Sequence, residues 1–207
     1  MIRRSVLGLL ASPLLMPAVL RAQTTDAGAR IAAAAEAQEG VVRIYDPAYV
    51  TLDFPGGDVA PDRGVCTDVL VRALRVAEGI DLQLAVNRDM KADFAAYPKN
   101  WGLTRPDPNI DHRRVPNLRR LFERLGAGIS IAEDPAAYRF GDVITCLIPD
   151  DLAHLMVVGT GQTGGRPLIV HNIGAGTRIE DRLSEFRMTG LYRLGPDVLE
   201  KLRRLTA

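Results

Sequence analysis

The apolar positions of this chain recur with two different periods, and the change from one to the other divides it. Val65, Val69, Ala73 and Val76 stand at helical spacing, with Leu70 and Leu74 widening the stripe up to Gly79, which predicts a buried helix. Ala27 to Glu39 is rich in Ala and Glu, free of Pro, preceded by Asp26 and followed by Gly40, the marks of a capped helix. Asn87 to Ala96, ahead of Pro98, and Asn117 to Leu125 predict two more. Beyond Gly141 the pattern becomes strand-like. Asp142 to Ile148, His154 to Gly159 and Pro167 to His171 are apolar, β-branched runs, with a turn at Gly161 to Arg166. Leu191 to Leu194 predicts a last strand, and Pro196 opens a final helix. Helices first and an antiparallel meander second predict an α+β fold, the N-terminal helices packed on the sheet.

Two segments follow neither period. Asp53 to Gly64 is dense in Gly, Pro and Asp and predicts an irregular loop ending just before Cys66. Trp101 to Pro116 is a second long loop, holding Asp111, His112, Arg113 and Arg114; long loops in compact domains are frequent binding surfaces.

The N-terminus differs again. Arg3-Arg4, an apolar run from Val6 to Met16 and small residues up to Ala22 describe a cleavable signal peptide, with Arg3-Arg4-Ser5 loosely like a twin-arginine signal. The apolar run is too short to span a bilayer. The expectation is a leader over residues 1–22, one domain over 23–207, and a periplasmic or otherwise exported product. A formal net charge of +1 with scattered Arg gives no reason to expect nucleic acid as a partner. A monomer is expected.

The chemistry narrows to few side chains. The chain has 2 cysteines and 3 histidines. Neither Cys66 nor Cys146 sits in a Cys-x-x-Cys spacing, so no metal site and no dithiol redox chemistry is expected; an even pair in an exported protein can also form a disulfide. A thiol attacks as thiolate, which a helix N-terminus and a nearby imidazole favour. Cys66 stands in the first turn of its helix, whereas Cys146 lies mid-strand and reads as core. His154 begins one strand and His171 ends the next. If the two strands pair antiparallel, both imidazoles meet at one sheet edge, giving a base and a group to orient it. Asn172, beside His171, is an alternative orienting group. Asp111, His112 and Arg113 either pin the long loop by ion pairs or line the cleft, where an Arg would grip a substrate carboxylate. Asp68 favours the helix start, but opposes thiolate formation if it points inward.

These residues carry a resemblance. Arg139 to Ile144, His154 to Gly159 and Ile169 to Asn172 resemble the later strands of NlpC/P60 domains, which are papain-like cysteine peptidases. Phe54-Pro55-Gly56-Gly57-Asp58, Asp62 to Asp68, Asn109 to Asn117 and His171-Asn172-Ile173-Gly174 resemble the DUF1287 family of exported bacterial proteins. The resemblance implies a papain-like fold with Cys66 as nucleophile, His154 as base and His171 as third member. It also implies hydrolysis of amide bonds in peptidoglycan stem peptides without a cofactor. The Tyr that stabilises the oxyanion in many NlpC/P60 enzymes has no match: Phe54 stands nearest, with Tyr45 and Tyr49 as replacements to be placed. Two other readings stand beside the hydrolase: a cell-wall or partner-binding module on the same shell, and an acyltransferase or thioesterase.

Overall fold

The computed structural model describes residues 26–207; the expected leader over residues 1–22 lies outside them. Helix α1 (Ala27–Glu36) is capped by Asp26, which accepts from the Gly28 N–H, and it buries Ile31, Ala32 and Ala35. It stops short of Glu39, because Gln38 and Glu39 donate to the carbonyls of Ala35 and Glu36, i→i+3 bonds that tighten the last turn. A parallel pair of two-residue strands follows, β1 (Ile44–Tyr45) beside β2 (Arg63–Gly64). It brings the chain to α2 (Cys66–Glu78), which the left-handed Gly79 closes at φ 66°.

Helix α3 (Leu82–Ala92) begins five residues ahead of the predicted Asn87. Asp81 caps it by accepting from the Gln83 N–H. Gln83 and Asn87 are buried polar residues on its inner face, and they mask the helical stripe in the sequence. The predicted end of that helix, Phe94–Ala96, is a separate 3₁₀ turn. The long loop contains another, Asp111–Arg113. Helix α4 (Val115–Leu125) takes Pro116 into its first turn, where a missing N–H costs no helical bond.

The second half is a six-stranded antiparallel sheet. Its strands are β3 (Gly128–Ile129), β4 (Val143–Ile148), β5 (Leu152–Thr163), β6 (Arg166–Asn172), β7 (Thr177–Glu180) and β8 (Arg187–Tyr192), in the order β3-β8-β4-β5-β6-β7. Gly164 and Gly165, at φ 53° and 78°, turn β5 into β6 between the paired Thr163 and Arg166; two positive φ values suit the twist of a two-residue hairpin. Helix α5 (Pro196–Thr206) ends the chain.

Both faces of the sheet are covered, so its central strands read as continuous apolar runs. Val143, Leu155, Val157 and Val170 pack under α1, α2 and α4 with Ile31, Leu70, Leu74 and Phe122. On the other face Ile144, Cys146, Met156, Val158 and Ile169 pack with Tyr138 and Leu183. The architecture is α+β with helices on an antiparallel sheet, as the sequence predicts. Among the described residues no helix is long and apolar enough to cross a membrane.

Candidate active site

The site forms where β6 parts from β5. The last paired residues at this end are Val157 and Val170, although β5 starts at Leu152 and β6 runs on to Asn172. Backbone N–H groups alternate between the two sides of a strand. The Val158 N–H donates to Asp142 on the β4 side, so the Leu155 N–H faces the β6 side, into the opening. The N-terminus of α2 fills that opening. The N–H groups of Leu155 and Thr67 both favour the Cys66 thiolate, and Asn172 Nδ2 donates to the Gly64 carbonyl at 3.0 Å. A helix start and a strand edge, each with spare donors, meet around one sulfur.

His154 lies one residue before Leu155, directly across from Cys146. Strand alternation puts His154 and His171 on the Met156 and Ile169 face of the sheet, spanning the same opening. His154 Nε2 and His171 Nδ1 are 3.1 Å apart, and His171 Nε2 lies 2.8 Å from Glu180 Oε2. The two imidazoles therefore meet at one sheet edge, as the hairpin argument predicts. Between His171 and Asn172 the geometry chooses: His171 bonds His154, while Asn172 holds Gly64 and accepts from the Gly174 N–H. No hydrogen bond joins the sulfur to the His154 ring among the described residues, and His154 Nδ1 has no hydrogen-bond partner.

Burial sets the charges. Cys66 is 5% exposed. Its thiol is pushed up to about 12 by desolvation, with the nearby Asp68 carboxylate adding to the shift. Desolvation, the neighbouring His171 and Arg182 bring His154 down to about 3. Burial of both groups thus opposes a standing thiolate–imidazolium pair. Cys146 is also a free, buried thiol pushed up to about 12 by burial.

Asp68 and Arg113 form a buried pair that shapes the mouth of the site. Asp68 accepts from the Val65 N–H at 2.7 Å and from Arg113 Nε and Nη2 at 3.0 and 2.9 Å. Arg113 also donates to the carbonyls of Asp46 and Ala48, and its own carbonyl accepts from the Thr67 hydroxyl. The guanidinium is spent on internal partners and pins residues 46–48 against the start of α2. Asp111 is likewise internal, accepting from the Asp107 N–H and from Arg114. His112 is 2% exposed with Nδ1 unpartnered, and desolvation brings it down to about 4. Asp68, Asp111, His112 and Arg113 thus build the loop that frames the site.

A cavity of about 220 Å³ opens onto Cys66, walled by Tyr45, Trp101, Arg114 and Ala153 among others. Arg114 stacks over the Trp101 ring at 4.0 Å, which gives Trp101 a place at the site rather than in packing alone. Of the aromatic residues considered for the oxyanion, Tyr45 reaches this cavity. It pairs with Gly64 two residues before Cys66, and among the described residues its hydroxyl has no hydrogen-bond partner. Tyr49 bonds Asp107 and Asn109, and Phe54 lies with Tyr49 on a different cavity. Among the described residues no cluster of His, Cys, Asp and Glu is arranged to hold a metal ion.

Two outcomes follow. Arg113→Ala strands the buried Asp68 carboxylate and lowers unfolding free energy by about 3–5 kcal/mol in urea titrations. The double variant Asp68→Asn/Arg113→Met loses less; an equal loss in both contradicts the pairing. The second concerns acid. His112, His154 and His171 are all held below the ordinary imidazole value of 6.5, so the unfolded chain binds protons first as pH falls. Their contribution is fully present above pH 6.5 and is lost on acidification, that of His112 towards about 4 and that of His154 towards about 3. Thermal melts at pH 7.5 and 5 show a lower midpoint at pH 5, with a smaller drop in His112→Gln; equal midpoints in the native chain contradict the burial of neutral imidazoles.

Comparison with known proteins agrees with the family resemblance read from the sequence. Residues 32–194 match the family model described as "Domain of unknown function (DUF1287)". The chain is 47% identical over 185 residues to "Uncharacterized protein YijF" of Escherichia coli (strain K12), with 89% of each chain covered. No solved structure matches. With most of its length inside the family model and a near full-length relative at that identity, this chain belongs to the DUF1287 family.

Proposed function

We propose that the protein is an exported cysteine amidohydrolase of the papain-like NlpC/P60 kind, an endopeptidase or amidase acting on peptidoglycan stem peptides. The observation that carries the reading is Cys66 at the N-terminus of α2, packed with Leu155, the strand neighbour of His154, whose imidazole meets that of His171. Export rests on the Met1 to Ala22 pattern.

In this reading a substrate carbonyl enters the cavity beside Cys66. Sulfur forms a bond to the carbonyl carbon as the thiol proton passes to Nδ1 of His154. The oxyanion takes hydrogen bonds from the Tyr45 hydroxyl and the Cys66 N–H, which belongs to the unbonded donors of a helix start. Collapse expels the amine, which leaves with the proton from His154, and water then hydrolyses the thioester. Because burial disfavours both charged forms, proton transfer accompanies attack in this reading. Arg114, on the cavity wall with Trp101 beneath it, offers a cation to a carboxylate of the peptide.

A second reading, a cell-wall binding module on the same shell, draws on one observation: a thiol that is 5% exposed, with no hydrogen bond to an imidazole. Incubation with purified sacculi, followed by mass spectrometry of the soluble fragments, separates the two. The native protein releases peptide fragments, and Cys66→Ala lowers release by roughly 1000-fold or more with an unchanged far-ultraviolet circular dichroism spectrum. Sacculi that bind the protein but stay intact favour the module; equal release by Cys66→Ala removes the thioester.

A further inference from the structure

We infer that Glu180 is a positioning residue of this site, fixing through His171 the tautomer that leaves a lone pair on Nδ1 of His154. The inference rests on the proposed role of His154, although its first test does not.

Glu180 reaches His171 through strand register. On β7, Arg178 stands opposite His171 and Glu180 opposite Ile169, so Glu180 is the diagonal, same-face neighbour of His171. The 2.8 Å contact from His171 Nε2 to Glu180 Oε2 and the 3.1 Å contact from His171 Nδ1 to His154 Nε2 form one chain. A neutral imidazole has one nitrogen that donates and one that accepts, whereas a carboxylate only accepts. Glu180 therefore makes His171 Nε2 the donor. His171 Nδ1 must then accept, which makes His154 Nε2 a donor and places the remaining lone pair on His154 Nδ1. That nitrogen is the one without a partner, and it is the one a thiol proton needs.

Without the carboxylate the chain reads equally well in reverse. His171 would donate from Nδ1 to His154 Nε2, His154 would carry its proton on Nδ1, and it could no longer act as base. Among the described residues the other polar groups at this end are engaged elsewhere, and the Glu185 carboxylate, whose charge also reaches His171, is held by Arg182. Asn172 is committed to Gly64 and Gly174. Arg182, 3.5 Å from the same Glu180 oxygen, is itself a donor and is forked onto Glu185. The side chain of Glu180 is 38% exposed, so its removal leaves the core in place.

The test is long-range ¹H–¹⁵N correlation on the histidine rings of the uniformly ¹⁵N-labelled protein at pH 7.5, assigned with His112→Gln, His154→Gln and His171→Gln. In the native chain His154 and His171 both carry the proton on Nε2. In Glu180→Ala both rings become mixtures of the two tautomers. Glu180→Gln, whose amide oxygen still accepts, largely keeps the native pattern. Release of fragments from sacculi falls about tenfold or more in Glu180→Ala, through kcat with little change in KM, and recovers in part in Glu180→Gln. Unchanged ring tautomers in Glu180→Ala, or a proton on Nδ1 of His154 in the native chain, overturn the inference. If the native protein releases nothing, the hydrolase reading fails while the ring spectra still decide the role of Glu180.

Discussion

The structure turns on the opening between β5 and β6, where two adjacent strands stop exchanging hydrogen bonds before either one ends. Buried backbone donors and acceptors cannot be left unpaired cheaply, so the opening must be filled by other polar groups. The start of α2 fills it. The Leu155 N–H favours the Cys66 thiolate, and Asn172 donates to the Gly64 carbonyl. One satisfied sheet defect thereby places a sulfur, a helix N-terminus and the strand bearing His154 together. The loops around the site serve the same end, since Arg113 ties residues 46–48 to Asp68 and holds Tyr45 near the mouth.

The same burial that builds the site opposes charge within it. Desolvation raises the thiol and lowers all three imidazoles, and Asp68 adds negative potential next to the sulfur. The helix start and the Leu155 N–H pull the other way without prevailing. The balance disfavours charge on both the thiol and the imidazole, so the proposed reaction depends on moving one proton in the correct direction. In the proposed mechanism, hydrogen-bond polarity along the His154–His171–Glu180 chain then decides which nitrogen of His154 is free to act.

Much of this was legible in the sequence because it rests on local pattern. The stripe from Val65 to Leu74 gave α2 and put Cys66 in its first turn, and two strand runs across a Gly-rich turn brought His154 to His171. What stayed hidden depends on tertiary partners. Arg113 reads equally well as a cleft residue or a clamp until the buried Asp68 and the carbonyls of Asp46 and Ala48 are seen around it. Asn172 and His171 are neighbours in sequence yet face different tasks, which only the strand pleat separates. Glu180 was missed because Thr177–Glu180 holds a single apolar residue, Ile179, and shows no strand signal of its own. The missed start of α3 has a similar cause, since its inward-facing Gln83 is held by the Gly57 N–H and by the carbonyls of Asp53 and Pro108 rather than by apolar packing.

The central claim is that the imidazole of His154 accepts the proton of the Cys66 thiol. The most direct measurement is the first-turnover acylation of the protein by an activated p-nitrophenyl ester at pH 7.5, read by nitrophenol release and by the mass of the acylated peptide. The account predicts a single acyl group on Cys66 and a rate about 100-fold lower or more in His154→Ala. Equal rates in the two proteins, or an acyl group on Cys146, contradict it.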